Sequence, residues 1–167
     1  MKLALVDFDG TLFDFSKSLG EASLEVTEKK LTPKEVTVLP REIKKEIYDK
    51  NITKHKHLYT PYKDVVSFVN DLRKKGFTIK ILTARPCSVK HHIKDILKKI
   101  GFFDEIICRP DLGVEDEDYK LSFIKGLDVK ELILLEDKID NILHIKKQIP
   151  NLLAYLVVDG VLKAFQS

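Results

Sequence analysis

Two carboxylates two residues apart, Asp7 and Asp9, directly follow the apolar run Leu3-Ala4-Leu5-Val6. On an extended segment, side chains at i and i+2 point the same way, so one acid can attack while its neighbour handles a proton. Like-charge repulsion, eased in part by a metal, can keep one of them protonated near neutral pH. Further groups stand just past other apolar runs: Thr83-Ala84-Arg85 after Thr78 to Leu82, and Glu136-Asp137, then Asp140, after Leu132 to Leu135. Lys120 lies between them. Acids at the ends of buried strands are costly unless something pairs with them. A cation between the two acidic loops removes that cost, and carboxylates without supporting His or Cys ligands favour Mg2+ over zinc. The chemistry that suits such a set is phosphoryl transfer, in which a protein positions an in-line nucleophile and offsets charge on the equatorial oxygens. Asp7 is then the expected nucleophile and Asp9 the acid and base. Thr83 and Lys120 are the expected phosphoryl ligands, and Gly10 permits a sharp turn whose amides can face the phosphate.

These residues share a rim only if particular elements carry them. The short continuous apolar run Leu3–Val6 predicts a strand covered on both faces, and further strands are predicted at Thr78–Leu82, Ile106–Ile107 and Leu132–Leu135. Helices are predicted from a Thr60-Pro61 start to Gly76, from a Ser88 cap to Gly101, over Asp118–Lys125, and over Asn141–Gln148 before Pro150. Asp159-Gly160 predicts a hairpin between Leu153–Val158 and Val161–Phe165. Strands alternating with helices imply an α/β fold with a doubly wound parallel sheet, whose ligands bind at the carboxyl ends of the strands. From about Phe15 to Tyr59 the rhythm stops. The capping box Thr32-Pro33-Lys34-Glu35, and Pro40 ahead of Ile43, Ile47 and Tyr48, make this stretch a small helical insertion.

Asp7-Phe8-Asp9-Gly10-Thr11-Leu12, Leu82-Thr83-Ala84-Arg85, Lys120, and Leu134-Leu135-Glu136-Asp137 with Asp140 resemble, in order, the four motifs of the haloacid dehalogenase superfamily. By average residue usage, Asp-x-Asp-Gly-Thr alone arises by accident in a chain this long on the order of one time in a thousand. The resemblance implies a Rossmann-like core over residues 1–14 and 60–167, a helical cap at 15–59, and an aspartyl-phosphate on Asp7. It implies Mg2+ held by Asp7, by the Asp9 carbonyl and by the last acidic motif, with Asp137 preferred, then Glu136, and Asp140 as a further candidate. The implied phosphate-binding set is Thr83, Ala84, Lys120 and Gly10. Lys125 and Lys130 are rivals to Lys120, and Arg85 either binds substrate or caps the following turn. The family's dehalogenases lack the second aspartate, so Asp9 points to phosphate esters. The expected activity is hydrolysis of phosphomonoesters, with nucleotides or nucleic-acid ends suggested by the Leu-Thr-Ala-Arg-Pro and Glu-Asp-Lys-Ile-Asp-Asn wording. A phosphotransferase or phosphomutase with the same intermediate, or a phospho-accepting receiver domain, are the alternatives.

Composition narrows the class further. A net charge of +3 is too small and dispersed to argue nucleic-acid binding by itself. No apolar run approaches the ~20 residues of a membrane span, and the apolar start is too short for a signal peptide. A cytoplasmic protein acting on a small phosphorylated substrate is expected. Cys87 and Cys108 read as two buried structural thiols, and His55, His57, His91 and His92 as surface residues rather than catalytic ones.

Overall fold

A computed structural model describes residues 1–110, 113 and 115–166. The central sheet has six strands in the order β5-β4-β1-β6-β7-β8. These are β1 Lys2–Val6, β4 Phe77–Pro86, β5 Glu105–Arg109, β6 Glu131–Glu136, β7 Leu153–Val158 and β8 Val161–Ala164. The first five run parallel, and β8 closes the edge as an antiparallel hairpin partner of β7. The fold is the expected doubly wound α/β arrangement. Strand order reverses at β1, which has β4 on one side and β6 on the other. Such a switch point opens a crevice at the carboxyl ends of the strands.

Period-two alternation explains why β1 is apolar on both faces. Ala4 and Val6 pack with Ile79, Ile81, Ile133 and Leu135 in one buried cluster, under α4 (Lys63–Lys74) and α5 (Lys90–Leu97). Leu3 and Leu5 pack with Leu82 and Leu134 in the other, under α6 (Asp116–Lys125) and α7 (Ile139–Gln148). The insertion folds as α1 (Ser16–Thr27), α2 (Pro33–Thr37) and α3 (Arg41–Thr53). Its capping box forms: the Thr32 hydroxyl accepts from the Glu35 amide, and the Glu35 carboxylate accepts from the Thr32 amide. Leu19, Ala22, Val36, Ile47 and Ile52 of this segment belong to the same apolar cluster as the first face of the sheet. The insertion is thus packed down on the core.

Three local expectations need correction. Thr60-Pro61 does not open a helix: it pairs antiparallel with β2 (Phe13–Asp14) as the short strand β3, and α4 begins at Lys63. That pairing closes the neck of the insertion, which outweighs the local preference for an N1 proline. Ser88 caps no helix, because a 3-10 turn over Cys87–Val89 intervenes before α5. Finally, Cys87 and Cys108 are not free thiols but a disulfide with Cα atoms 5.0 Å apart. The bridge ties the turn after β4 to the end of β5, neighbours in the sheet that are 21 residues apart in sequence.

Candidate active site

β1 delivers Asp7 to the carboxyl end of the sheet at the switch point, and the Asp7 amide donates to the Leu135 carbonyl at 3.0 Å, continuing the β1–β6 ladder. One residue past β6 stands Asp137. Gly10 explains how they can be close: its φ of +77° suits glycine, and a Cβ there would lie 2.5 Å from Asp137 Oδ2. The Gly10 amide is not free to face a phosphate, because it donates to the Phe13 carbonyl at 2.8 Å. Its contribution is the turn and the room it leaves. The Thr11 hydroxyl lies 3.1 Å from Asp7 Oδ2 and 3.4 Å from Asp137 Oδ1.

Lys120, on α6, is buried with its ammonium 2.9 Å from Asp7 Oδ1 and 2.7 Å from Glu136 Oε2. Asp116, one helical turn earlier, lies 3.6 Å away. Lys125 donates to Gln148 instead, and Lys130 begins the approach to β6, so the geometry brings Lys120 and neither rival to Asp7. Glu136 is saturated. Its Oε2 accepts from Lys120 and from Asn141 Nδ2, and its Oε1 from the amides of Asp137 and Lys138. Asp140 is exposed on the first turn of α7, outside this cluster.

The electrostatics follow from that arrangement. Burial, then the Glu136 charge, pushes the Asp7 carboxyl up to about 7 despite Lys120. Burial, then Asp7 and Glu136, pushes Asp137 up to about 10. Glu136 goes the other way: burial opposes its charge, but Lys120 and a hydrogen bond from the Asp137 side chain more than offset it and hold the carboxyl below its usual range. Burial likewise disfavours the Lys120 charge, yet Asp7, Glu136 and Asp116 raise that ammonium well above its ordinary value. Ligand atoms of Asp7, Glu136 and Asp137 all lie within 4.8 Å of one another, so this group could hold a metal ion. Asp7 and Asp137 oppose each other's ionisation, and a divalent cation between them would relieve that conflict.

Asp9 has different surroundings. Its Oδ2 accepts from Arg85 Nε at 2.8 Å, and its Oδ1 from Arg85 NH2 at 3.0 Å and from the Tyr59 hydroxyl at 2.8 Å. Arg85 therefore grips Asp9 while standing among the residues that line the cavity. Its NH1 donates to the Tyr48 carbonyl at 2.9 Å, and NH2, shared with Asp9, also lies 2.6 Å from the Asn51 side-chain oxygen and 2.9 Å from the Tyr59 oxygen. Burial works against the guanidinium's charge, but Asp9 keeps its pKa above the ordinary value. Asn51 Nδ2 in turn donates to Ser18 Oγ at 2.7 Å. Asp9 is thus held by β4 and by the insertion together. Asn51 and Tyr59 escaped the sequence reading. A buried polar residue on an otherwise charged helix, and a tyrosine beside the insertion's exit, were the available signals.

Thr83 is buried on β4 and accepts the Arg85 amide through its hydroxyl at 3.1 Å. With Ala84, Asp7, Asp9 and Asp137 it lines a cavity of about 600 Å³. Helix α3 supplies the opposite wall, with Arg41, Lys45, Tyr48 and Ile52 among its lining residues. The four histidines singled out from sequence do not line it.

No family model matches the sequence. A curated phosphoglycolate phosphatase from Aquifex aeolicus (strain VF5) is 30% identical over 151 residues, covering 77% of this chain and 70% of that protein. A haloacid dehalogenase-like hydrolase from Bacteroides fragilis superposes with a TM-score of 0.69 at 17% identity, over 92% of this chain and 85% of that one. A chain of the Pnkp1/Rnl/Hen1 RNA repair complex superposes with a TM-score of 0.64 at 15% identity, over 94% of this chain and 42% of that one. The structural likenesses carry the fold, and the Aquifex relative extends it to the family. At that identity and coverage, and with this fold, the chain belongs to the haloacid dehalogenase superfamily of phosphatases.

Proposed function

We propose that this chain is a Mg2+-dependent phosphomonoesterase working through an aspartyl-phosphate on Asp7. The observation that supports it most is the convergence of Asp7, Lys120 and Asp137 at the switch point of the sheet, beneath a cavity with Thr83 and Asp9 in its wall. Asp7 Oδ2 and the Asp137 carboxylate, with the Asp9 carbonyl, would hold the cation. Glu136, with all its acceptor sites filled, serves instead to seat Lys120. When bound, the cation neutralises phosphoryl charge and lets both acids stay ionised.

In the first step a carboxylate oxygen of Asp7 attacks phosphorus, and the bond to the leaving alcohol breaks. Lys120 and the Thr83 hydroxyl donate to the phosphoryl oxygens. Asp9 gives a proton to the departing oxygen, then takes one from the water that hydrolyses the acyl phosphate. Its Oδ2, bonded to Arg85 Nε alone among the described partners, retains a lone pair for that proton. The 15–59 insertion acts as the cap over this reaction, on the core of 1–14 and 60–167. Candidate substrates are a small phosphorylated acid, as the relative's name suggests, and nucleotides or nucleic-acid ends. A cytoplasmic setting belongs to the same proposal. A disulfide in that compartment is the habit of hyperthermophile proteins. No helix of the described residues is long and apolar enough to cross a membrane.

The test is release of inorganic phosphate from a panel of phosphate esters. Turnover should require Mg2+, stop with chelator and fall below detection in Asp7→Asn. Undiminished turnover in chelator, or phosphate passed to an added alcohol with none released to water, would overturn the reading.

A further inference from the structure

The cations around the cavity are unequally occupied. Lys120 is paired with Asp7 and Glu136, Arg85 with Asp9, and Lys138 with Asp116. Lys44 donates to the Thr37 carbonyl. Arg41 and Lys45 also line the cavity, both exposed, and among the described residues neither side chain has an ion-pair or hydrogen-bond partner. With Tyr48 and Ile52 they fall at i, i+4, i+7 and i+11 of α3, one stripe on the cavity side of that helix. The stripe is graded. Ile52 is buried in the same core cluster as Phe15 and Val89, Tyr48 is half-buried, and the two cations are exposed.

The stripe is also fixed in register. Arg85 donates to the Tyr48 carbonyl and to Asn51 while it grips Asp9, and its guanidinium lies 5.0 Å from the centre of the Tyr48 ring. The inner half of α3 is therefore tied to the acid–base residue itself. At 1.5 Å per residue, the backbone of Lys45 stands about 4.5 Å and that of Arg41 about 10 Å further out along the axis. Asp9 and the stripe line the same cavity, so a leaving group held there has the stripe as part of its wall. Glu42 and Asp49 line the same wall beside the stripe, so the preference depends on the ligand reaching the stripe itself rather than on the wall's summed charge.

We infer that Arg41 and Lys45 select phosphomonoesters carrying a second anionic group on the leaving side, Lys45 reading it on a short leaving group and Arg41 on a longer one. The inference rests on the phosphomonoesterase reading and deepens it, since a small phosphorylated acid and an end-phosphorylated oligonucleotide both carry that second anion, as a carboxylate or as a phosphodiester.

Paired substrates test it on the full chain with Mg2+: 2-phosphoglycolate against 2-hydroxyethyl phosphate, and a 3′-phosphorylated dinucleotide against a nucleoside 3′-monophosphate. The doubly anionic member of at least one pair should have the higher kcat/KM, and the pair that shows the preference identifies the source of the anion. Lys45→Gln should lower the short pair's ratio, and Arg41→Gln the long pair's, by about 10- to 100-fold, chiefly through KM, as expected for losing a charge-assisted contact. The exposed cap lysine variant Lys34→Gln, outside the cavity, should leave both ratios alone. Equal kcat/KM within both pairs, or ratios unmoved by both cavity variants, would overturn the inference while leaving the phosphatase reading intact. Absence of turnover on every ester would instead sink the phosphatase reading.

Discussion

Tyr59→Phe separates the hold on Asp9 from the packing around it. The ring is almost fully buried, 5.6 Å from Phe8, 6.3 Å from Phe13 and 6.4 Å from Phe15, centroid to centroid, and phenylalanine keeps those contacts. The substitution deletes a hydroxyl that lies 2.8 Å from Asp9 Oδ1 and 2.7 Å from the Asn51 oxygen, and that accepts from Arg85. Leaving those buried partners one bond short costs about 1–3 kcal/mol of stability. For a domain of this size that is a melting shift of about 2–12 °C. The catalytic effect should depend on the leaving group. General acid catalysis is worth about 10²- to 10⁴-fold, and a misaligned acid forfeits part of it, so kcat on an alkyl phosphate should fall by about tenfold or more. p-Nitrophenyl phosphate releases an alcohol that needs no proton, and its kcat should fall by less than about threefold on the same argument. Steady-state kinetics on both esters, beside a thermal melt, decide the matter. Equal losses on the two esters, or none on either, would refute the idea that Tyr59 orients Asp9.

Other perturbations probe the remaining links. The Asp7 and Asp137 carboxyls bind protons more tightly in the folded chain than in the unfolded one, so the metal-free protein loses stability as pH rises. Its melting temperature should drop between about pH 5 and about pH 9, and added Mg2+ should restore more of it at the upper end; a metal-free melt that rises across this range would contradict the origin given for those shifts. Gly10→Ala places a methyl 2.5 Å from Asp137 Oδ2 at a φ of +77°, and should weaken Mg2+ activation by at least about tenfold, read as the metal concentration at half-maximal rate. Reducing the Cys87–Cys108 bridge, or replacing it in Cys87→Ser, should cost about 3 kcal/mol by loop-closure entropy, a melting shift of about 6–12 °C; an unchanged melt would mean that the bridge constrains nothing in the unfolded chain.

The parts of the fold that a reader of the sequence can see are those governed by local pattern. Continuous apolar runs mark β1 and β6 because both faces of a parallel sheet are covered, β4 and β5 show as shorter apolar stretches, and the capping box at Thr32 needs contacts just three residues apart. Helix α1 is harder to see, because its buried face is built from Ser18, Gly20, Ala22 and Ser23 as well as Leu19, so the apolar stripe is faint. Thr60-Pro61 misleads for a different reason: its local preference is real, but pairing with Phe13 and Asp14 across the neck decides its conformation. The same divide runs through the site. Asp7, Asp9, Thr83, Lys120 and Asp137 stand out as polar residues at the ends of apolar strands or on the next helix. Asn51 and Tyr59 do not, since what makes them matter is a guanidinium 34 and 26 residues away. The disulfide is likewise a fact about two adjacent strands that no spacing of Cys87 and Cys108 displays. Glu136 and Asp137 are neighbours in sequence with the same chemistry, and hydrogen-bond saturation alone tells them apart.

The proposed reaction turns on a covalent bond from Asp7 to phosphorus. It is tested most directly by mixing enzyme, Mg2+ and a phosphate ester, quenching within a turnover, and reducing with borohydride, which converts an aspartyl phosphate to homoserine. Peptide mass spectrometry should then find homoserine at position 7, dependent on both Mg2+ and substrate, and at no other acid of the site. Turnover that continues while Asp7 stays unmodified, or homoserine at position 9 or 137 instead, would contradict the account.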